Sequence, residues 1–135
     1  MGTRSLTRFF EGNKEITCIY QQFDGYPSGV GKEISQFLAS GKQVNGIPAG
    51  EKGTRYFNGI GCMAAQFIAQ HKKEAGGLYV YAPKSKDCGE EYTYEIRGHF
   101  DRRPLRIKVV AYEKTVFDGS LDDFSAFCEK EEETA

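Results

Sequence analysis

The richest group of chemically active residues in this sequence lies in a glycine-rich segment, residues 22–32. It reads QFDGYPSGVGK, so three glycines and a proline are combined with the carboxylate of Asp24 and the ammonium group of Lys32. Glycine lets a backbone approach a ligand closely, proline fixes the turn, and the two charged groups can hold a ligand beside it. The segment is therefore the first candidate for a ligand site.

A second glycine pair, Gly59 and Gly61, precedes a predicted helix just as Gly29 and Gly31 do. The first N–H groups of a helix and the positive end of its dipole can hold a phosphate or carboxylate. If both helix starts lie at one edge of the sheet, they form a single anion pocket with nearby cations and tyrosines. Alternatively, these glycines serve only tight packing. The predicted ligand-binding residues are Arg4, Asp24, Gly25, Tyr26, Gly29, Gly31, Lys32, Arg55, Tyr56, Gly59 and Gly61.

Neither glycine pattern matches a nucleotide-binding motif. From Gly25 to Lys32 the spacing is one residue too long for a P-loop, and Glu33 stands where Ser or Thr would bind magnesium. Residues 59–64 fit G-x-G-x-x-A, but no ribose-binding carboxylate ends the next predicted strand. Any anion site here therefore lies outside the two familiar loops.

Two weaker candidates for catalysis are present. His99 lies in a polar turn, where it could act as a general base oriented by Asp101, although such charges are usually only solvated. Asp24 could orient a substrate hydroxyl, or bond its own backbone as an Asx turn, and the second role is favoured. The sequence therefore names residues for a hydrolase or transferase without a reaction-specific signature.

Composition excludes several classes of protein. The formal net charge is -1 and the pI is about 6.1, so no overall field attracts nucleic acid. The four cysteines form no C-x-x-C pair and only two histidines accompany them, which predicts neither a metal nor another cofactor. No apolar run approaches the ~18 residues of a membrane span, and the start has no signal-peptide core. We expect a cytoplasmic protein without a membrane partner, and homo-oligomer formation is left open.

The elements that must position these residues are predicted from apolar spacing. Alternation predicts strands at 5–10, 15–22, 78–81, 91–97 and 105–112, and helical spacing predicts helices at 32–39, 61–73 and from Ser120 onwards. Asp123 takes the capping-box position of the last helix. The resulting class is α+β, a single domain over residues 1–135, with a mainly antiparallel sheet of about five strands covered on one face by two to three helices. Residues 44–54 are predicted to be a loop, and 129–135 a frayed acidic tail.

The opening MGTR and the segment QFDGYPSGVG carry a family resemblance. They resemble a group of small proteins from phages, bacteria and fungi in which M-G-T-R and Q-x-D-G-Y-P-x-G-x-G recur. The similarity extends through residues 58–62 and 75–79 to 117–121. It implies that Arg4 and residues 24–27 belong to a shared element, and it brings no activity.

Three functions from different classes follow from these patterns. The first, which we prefer, is an intracellular and possibly phage-derived module that binds a small anionic molecule such as a nucleotide. The second is a factor that binds a host protein, for example as a host-defence antagonist, through an exposed sheet edge or aromatic surface. The third is a hydrolase or transferase that uses His99 with Asp101, or Asp24.

Overall fold

The computed structural model describes residues 2–44, 53–99 and 103–134. The strands are β1 (Ser5–Glu11), β2 (Lys14–Gln21), β3 (Gly41–Val44), β4 (Arg55–Asn58), β5 (Leu78–Tyr81), β6 (Tyr92–Gly98), β7 (Arg106–Ala111) and β8 (Lys114–Ser120). The helices are a π-helical turn (Pro27–Gly31) followed directly by α1 (Lys32–Ala39), then α2 (Gly59–His71) and α3 (Leu121–Thr134).

Six of the strands form one mixed sheet in the order β5-β2-β1-β6-β7-β8, and β3 and β4 form a separate parallel pair. Within the large sheet every neighbouring pair is antiparallel except β1 and β6, which run parallel. The prediction of a single α+β domain is confirmed. The large sheet is mainly antiparallel, as predicted, but the predicted strand count was too low, because the described chain contains eight strands, six of them in this sheet.

The helices lie against one face of the sheet. Alternate residues of the strands, such as Phe9, Ile19 and Ile107, meet apolar side chains of all three helices in the main core. The opposite face has a smaller cluster around Leu6, Cys18 and Tyr20, beside ion pairs such as that between Arg8 Nη1 and Glu15 Oε2 at 2.9 Å. Strands with one covered and one partly polar face produce the alternating pattern seen in the sequence.

The last helix begins where predicted and ends later. Ser120 Oγ accepts a hydrogen bond from the backbone N–H of Asp123 at 3.2 Å, which is the first half of a capping box. The residues expected to form a frayed tail continue α3 as far as Thr134. Glutamate and lysine have high helix propensity, so an acidic composition did not by itself indicate a frayed end.

The starts of α1 and α2 can be located relative to the two ends of the large sheet. We call them the Ser5 end, where β1 and β6 begin and β2 ends, and the Gly98 end, where β6 ends. The start of α1 lies at the Ser5 end, because Gly31 is in contact range of the Tyr94 side chain. The start of α2 lies at the Gly98 end, because a Cβ on Gly98 would overlap Ile60 Cδ1. The two glycine-preceded helices therefore begin at opposite ends of the sheet.

Candidate functional site

The backbone of the glycine-rich segment is hydrogen-bonded within the chain. The N–H of Val30 donates to the carbonyl oxygen of Asp24 at 2.7 Å, and the N–H of Gly29 donates to that of Tyr26 at 2.9 Å. The N–H of Gly25 donates to the carbonyl of Thr3, also at 2.9 Å. These three amide donors, which an anion would need, are therefore already used by the fold.

Close packing explains why this segment contains glycine. A Cβ on Gly31 would lie 3.1 Å from Cys128 Sγ, and one on Gly25 would lie 2.8 Å from Ser5 Cβ. The buried Tyr94 hydroxyl donates to the Gly25 carbonyl at 2.7 Å. Burial, followed by the nearby Cys128 thiol, raises the pKa of Tyr94, so its phenol stays protonated and keeps donating. The glycines provide room for protein atoms rather than for a ligand.

The other predicted residues at the Ser5 end also have partners in the protein. Tyr26 Oη donates to Asp24 Oδ1 at 3.0 Å, and this hydrogen bond raises the pKa of Tyr26. Asp24 has a φ of 56°, as expected for a turn residue. Arg4 is paired with Glu91, with 3.5 Å between Nη2 and Oε1. Lys32 begins α1 at this same end.

A cavity of about 580 Å³ lies at the other end of the fold, between β4 and the start of α2. Its lining includes Arg55 and Tyr56, which the sequence predicted, together with Asn58, Cys62 and Gln66. The predicted Gly59 and Gly61 open α2 beside these residues, and Gly59 has a left-handed φ of 81°. Of the eleven predicted ligand-binding residues, two, Arg55 and Tyr56, therefore line this cavity, and Gly59 and Gly61 lie in the adjoining first turn of α2. The other seven lie at the opposite end.

The described lining of this cavity contains one charged side chain, the cation Arg55 of β4. The guanidinium of Arg55 lies 5.1 Å from the centre of the Phe37 ring and donates to Ser40 Oγ at 3.2 Å. Asn58, the N-cap of α2, makes no capping hydrogen bond through its side chain. Apart from the backbone of α2 itself, no atom of the described residues lies within 4 Å of the position that a Cβ on Gly61 would take, so the described part of the chain leaves this side of the helix start open.

One side chain organises the wall of the cavity. Gln66 Nε2 donates to the carbonyl oxygen of Tyr56 at 2.8 Å and lies 3.2 Å from Cys62 Sγ. Gln66 thus connects the first turns of α2 to β4 and holds the cavity wall in place. Neither Gln66 nor Cys62 was singled out from the sequence, because only the fold brings α2 beside β4.

One member of the predicted catalytic pair belongs to the described residues. His99 is half-buried directly after β6, at the Gly98 end, and Asp101 lies outside the described residues. Asp24 has the positive φ of a turn residue, and its carboxylate accepts a hydrogen bond from Tyr26 Oη. No group of three or more His, Cys, Asp or Glu side chains within residues 2–44, 53–99 and 103–134 is arranged to hold a metal ion.

Sequence reasoning also missed a smaller cavity, of about 310 Å³, at the Ser5 end. It is lined by Gln21, Glu33 and His71 among others, which belong to β2, α1 and α2. No local pattern links three residues this far apart in the chain, so only the tertiary fold identifies them as neighbours.

The chain matches no protein-family model, no curated protein and no solved structure. The resemblance to small proteins of phages, bacteria and fungi therefore stays a prediction. Among the described residues, no helix combines the length and apolar character needed to cross a membrane.

Proposed function

We propose that this protein binds a small anionic molecule of the nucleotide class in the cavity between β4 and α2. The observation that carries this proposal is a cavity of about 580 Å³ that is lined by Arg55 and Tyr56 and, from the first turns of α2, by Cys62 and Gln66. That volume lies within the range of ~300–1,000 Å³ that small-molecule sites occupy. The ligand would lie near the second glycine pair, Gly59 and Gly61, and not at residues 22–32.

The physical basis is the field of α2 acting together with a cation. A helix of thirteen residues has a positive dipole end, worth about 0.3–1 kcal/mol towards an exposed anion. The Arg55 guanidinium adds a charge and planar N–H donors that suit a phosphate. Tyr56 offers a ring on which a base can stack, worth about 1–3 kcal/mol. Together these groups support a phosphate-bearing ligand with an aromatic part.

The first experiment is thermal unfolding with inorganic phosphate and a panel of mono-, di- and cyclic nucleotides. A ligand at one hundred times its Kd should stabilise the protein by about 2.7 kcal/mol. No stabilisation by any member of the panel would contradict the proposal.

Two substitutions at one position locate the site. Gly61→Glu places a carboxylate at the open side of the helix start and should remove the stabilisation by the ligand. Gly61→Ala is the matched control, because a Cβ there meets no atom within 4 Å. Equal stabilisation by the ligand in the two variants would show that the ligand does not bind at the start of α2.

A second candidate function is protein binding at the edge strand β5. Val80 is 59% exposed on this strand and Tyr79 is 40% exposed. An edge strand with exposed apolar side chains can accept a further strand from a partner. Val80→Lys should abolish such an interaction in a pull-down while leaving nucleotide binding unchanged.

A further inference from the structure

The cavity at the Ser5 end contains a buried polar group whose hydrogen bonding is incomplete. Gln21 lines this cavity of about 310 Å³ and is only 8% exposed. Its Oε1 atom has no hydrogen-bond partner within the described part of the chain. A buried acceptor left unpaired costs about 1–3 kcal/mol, so this position favours a molecule that brings a donor.

Its neighbours on the same face of the sheet are polar as well. Ser5 is the register partner of Gln21, and Thr7 follows two residues later, so both side chains lie on the helix-covered face. Both are fully buried, and the described residues provide no partner for either hydroxyl oxygen. Neither residue belongs to the described lining of the cavity, but both make the covered face beside Gln21 polar rather than apolar.

His71 adds a second acceptor with a defined tautomer. Its Nδ1 lies 2.8 Å from the carbonyl oxygen of Phe67, and a carbonyl can only accept. Nδ1 therefore carries the proton, and Nε2 of the neutral ring is an acceptor. This Nε2 lies 4.0 Å from a carboxylate oxygen of Glu33, which is the third acceptor.

The three acceptors come from three elements and favour one class of ligand. The other charges in the lining, Lys73 and Glu74, have opposite signs, so the Glu33 carboxylate remains as the unbalanced charge of the cavity. We propose that this cavity is a second binding site, which takes a small organic ammonium ion whose N–H donors face Gln21, His71 and Glu33. This site is separate from the anion site, because it lies where α2 ends and α1 begins.

The experiment is an NMR titration of the full chain with putrescine and, separately, with tetramethylammonium chloride. Putrescine has N–H donors and tetramethylammonium has none, so the two differ in the feature that the proposal requires. We expect putrescine to shift the amide signals of Gln21, Glu33 and His71 in a saturable way, while tetramethylammonium leaves them unchanged. Equal shifts with both cations, or none with either, would overturn the proposal.

Two variants test the named side chains. Gln21→Leu removes the buried acceptor at similar volume and should weaken putrescine binding at least tenfold. Glu33→Gln changes an exposed side chain on α1 and provides the same test if Gln21→Leu does not fold. Glu95→Gln, on the opposite face of the sheet, is the matched control and should bind as the original chain does. Unchanged affinity in Glu33→Gln would overturn the role of the carboxylate.

Discussion

Replacing Gly29 by alanine should destabilise the fold, although the position precedes a helix. The added Cβ would overlap the carbonyl oxygen of Asp24 and lie 3.0 Å from the Cβ of Asp24. The clash with the oxygen involves backbone, so it cannot be relieved by a side-chain rotation. The backbone must move, and the hydrogen bond from the Val30 N–H to the same oxygen, 2.7 Å long, must lengthen or break.

The magnitude follows from these two contacts. Overpacking costs about 1–3 kcal/mol, and a lost hydrogen bond costs about 1 kcal/mol. Replacing glycine by alanine also reduces the conformational freedom of the unfolded chain, which stabilises the fold by about 0.4–1 kcal/mol. The free energy of unfolding should therefore fall by about 2 kcal/mol in total. For a chain of 135 residues the unfolding entropy is ~0.28 kcal/mol/K, so Tm should fall by about 7 °C.

The assay is thermal unfolding followed by circular dichroism, with Gly61→Ala as the matched control. In the part of the chain that the structure describes, no atom outside the α2 backbone lies within 4 Å of a Cβ at Gly61, so this variant should gain about 0.5–1 kcal/mol from helix propensity. Opposite signs for the two variants would support a structural role for the first glycine segment. A Gly29→Ala variant as stable as the original chain would refute the reasoning.

Three further predictions follow from the described contacts. Tyr94→Phe should lower the free energy of unfolding by about 1–3 kcal/mol, because the buried Gly25 carbonyl loses the hydroxyl that donates to it at 2.7 Å. Tyr112→Phe, at an exposed position, should change it by less than ~0.5 kcal/mol. Burial raises the pKa of Cys18 from 9.0 to about 11 and that of Cys128 to about 12. Because these thiols ionise in the unfolded chain at a lower pH than in the folded one, the free energy of unfolding should fall between pH 9 and pH 11. Urea titrations should show a fall of about 1.4 kcal/mol per pH unit for each thiol. Cys128→Ala should reduce that slope and Cys62→Ala should not. Arg8→Met should lower the free energy of unfolding in urea titrations by about 3 kcal/mol, because it removes the cation that lies 2.9 Å from the carboxylate of Glu15. An equal loss in Arg106→Met, which breaks the exposed ion pair with Asp118, would contradict this.

The sequence predicted the elements better than their arrangement. Five strands were found because their apolar residues alternate on one covered face, and α1 because its apolar residues repeat at helical spacing. Strand β8 was missed: its pairing with β7 contains a register shift, and it lies at the sheet edge, so its burial does not alternate regularly. The parallel pairing of β1 with β6 has no local signal, because it depends on how the intervening helices return the chain.

The site could be predicted only in part, because the two glycine segments are alike in sequence but differ in what surrounds them. A glycine in the sequence indicates that space is needed beside the backbone, but not what fills it. At Gly31 the neighbours are Cys128 and Tyr94, whereas at Gly61 no atom lies within 4 Å. Both segments precede helices, so local spacing could not separate a packing role from an open helix start.

The location of the anion site is the central claim, and an NMR titration with inorganic phosphate and then with AMP tests it most directly. The amide signals of Gly59, Gly61 and Cys62 should shift in a saturable way, because the ligand lies at the start of α2. The signals of Gly29 and Gly31 should stay in place, because their amides are within the packed segment. Saturable shifts at Gly29 and Gly31, with none at the start of α2, would contradict the account.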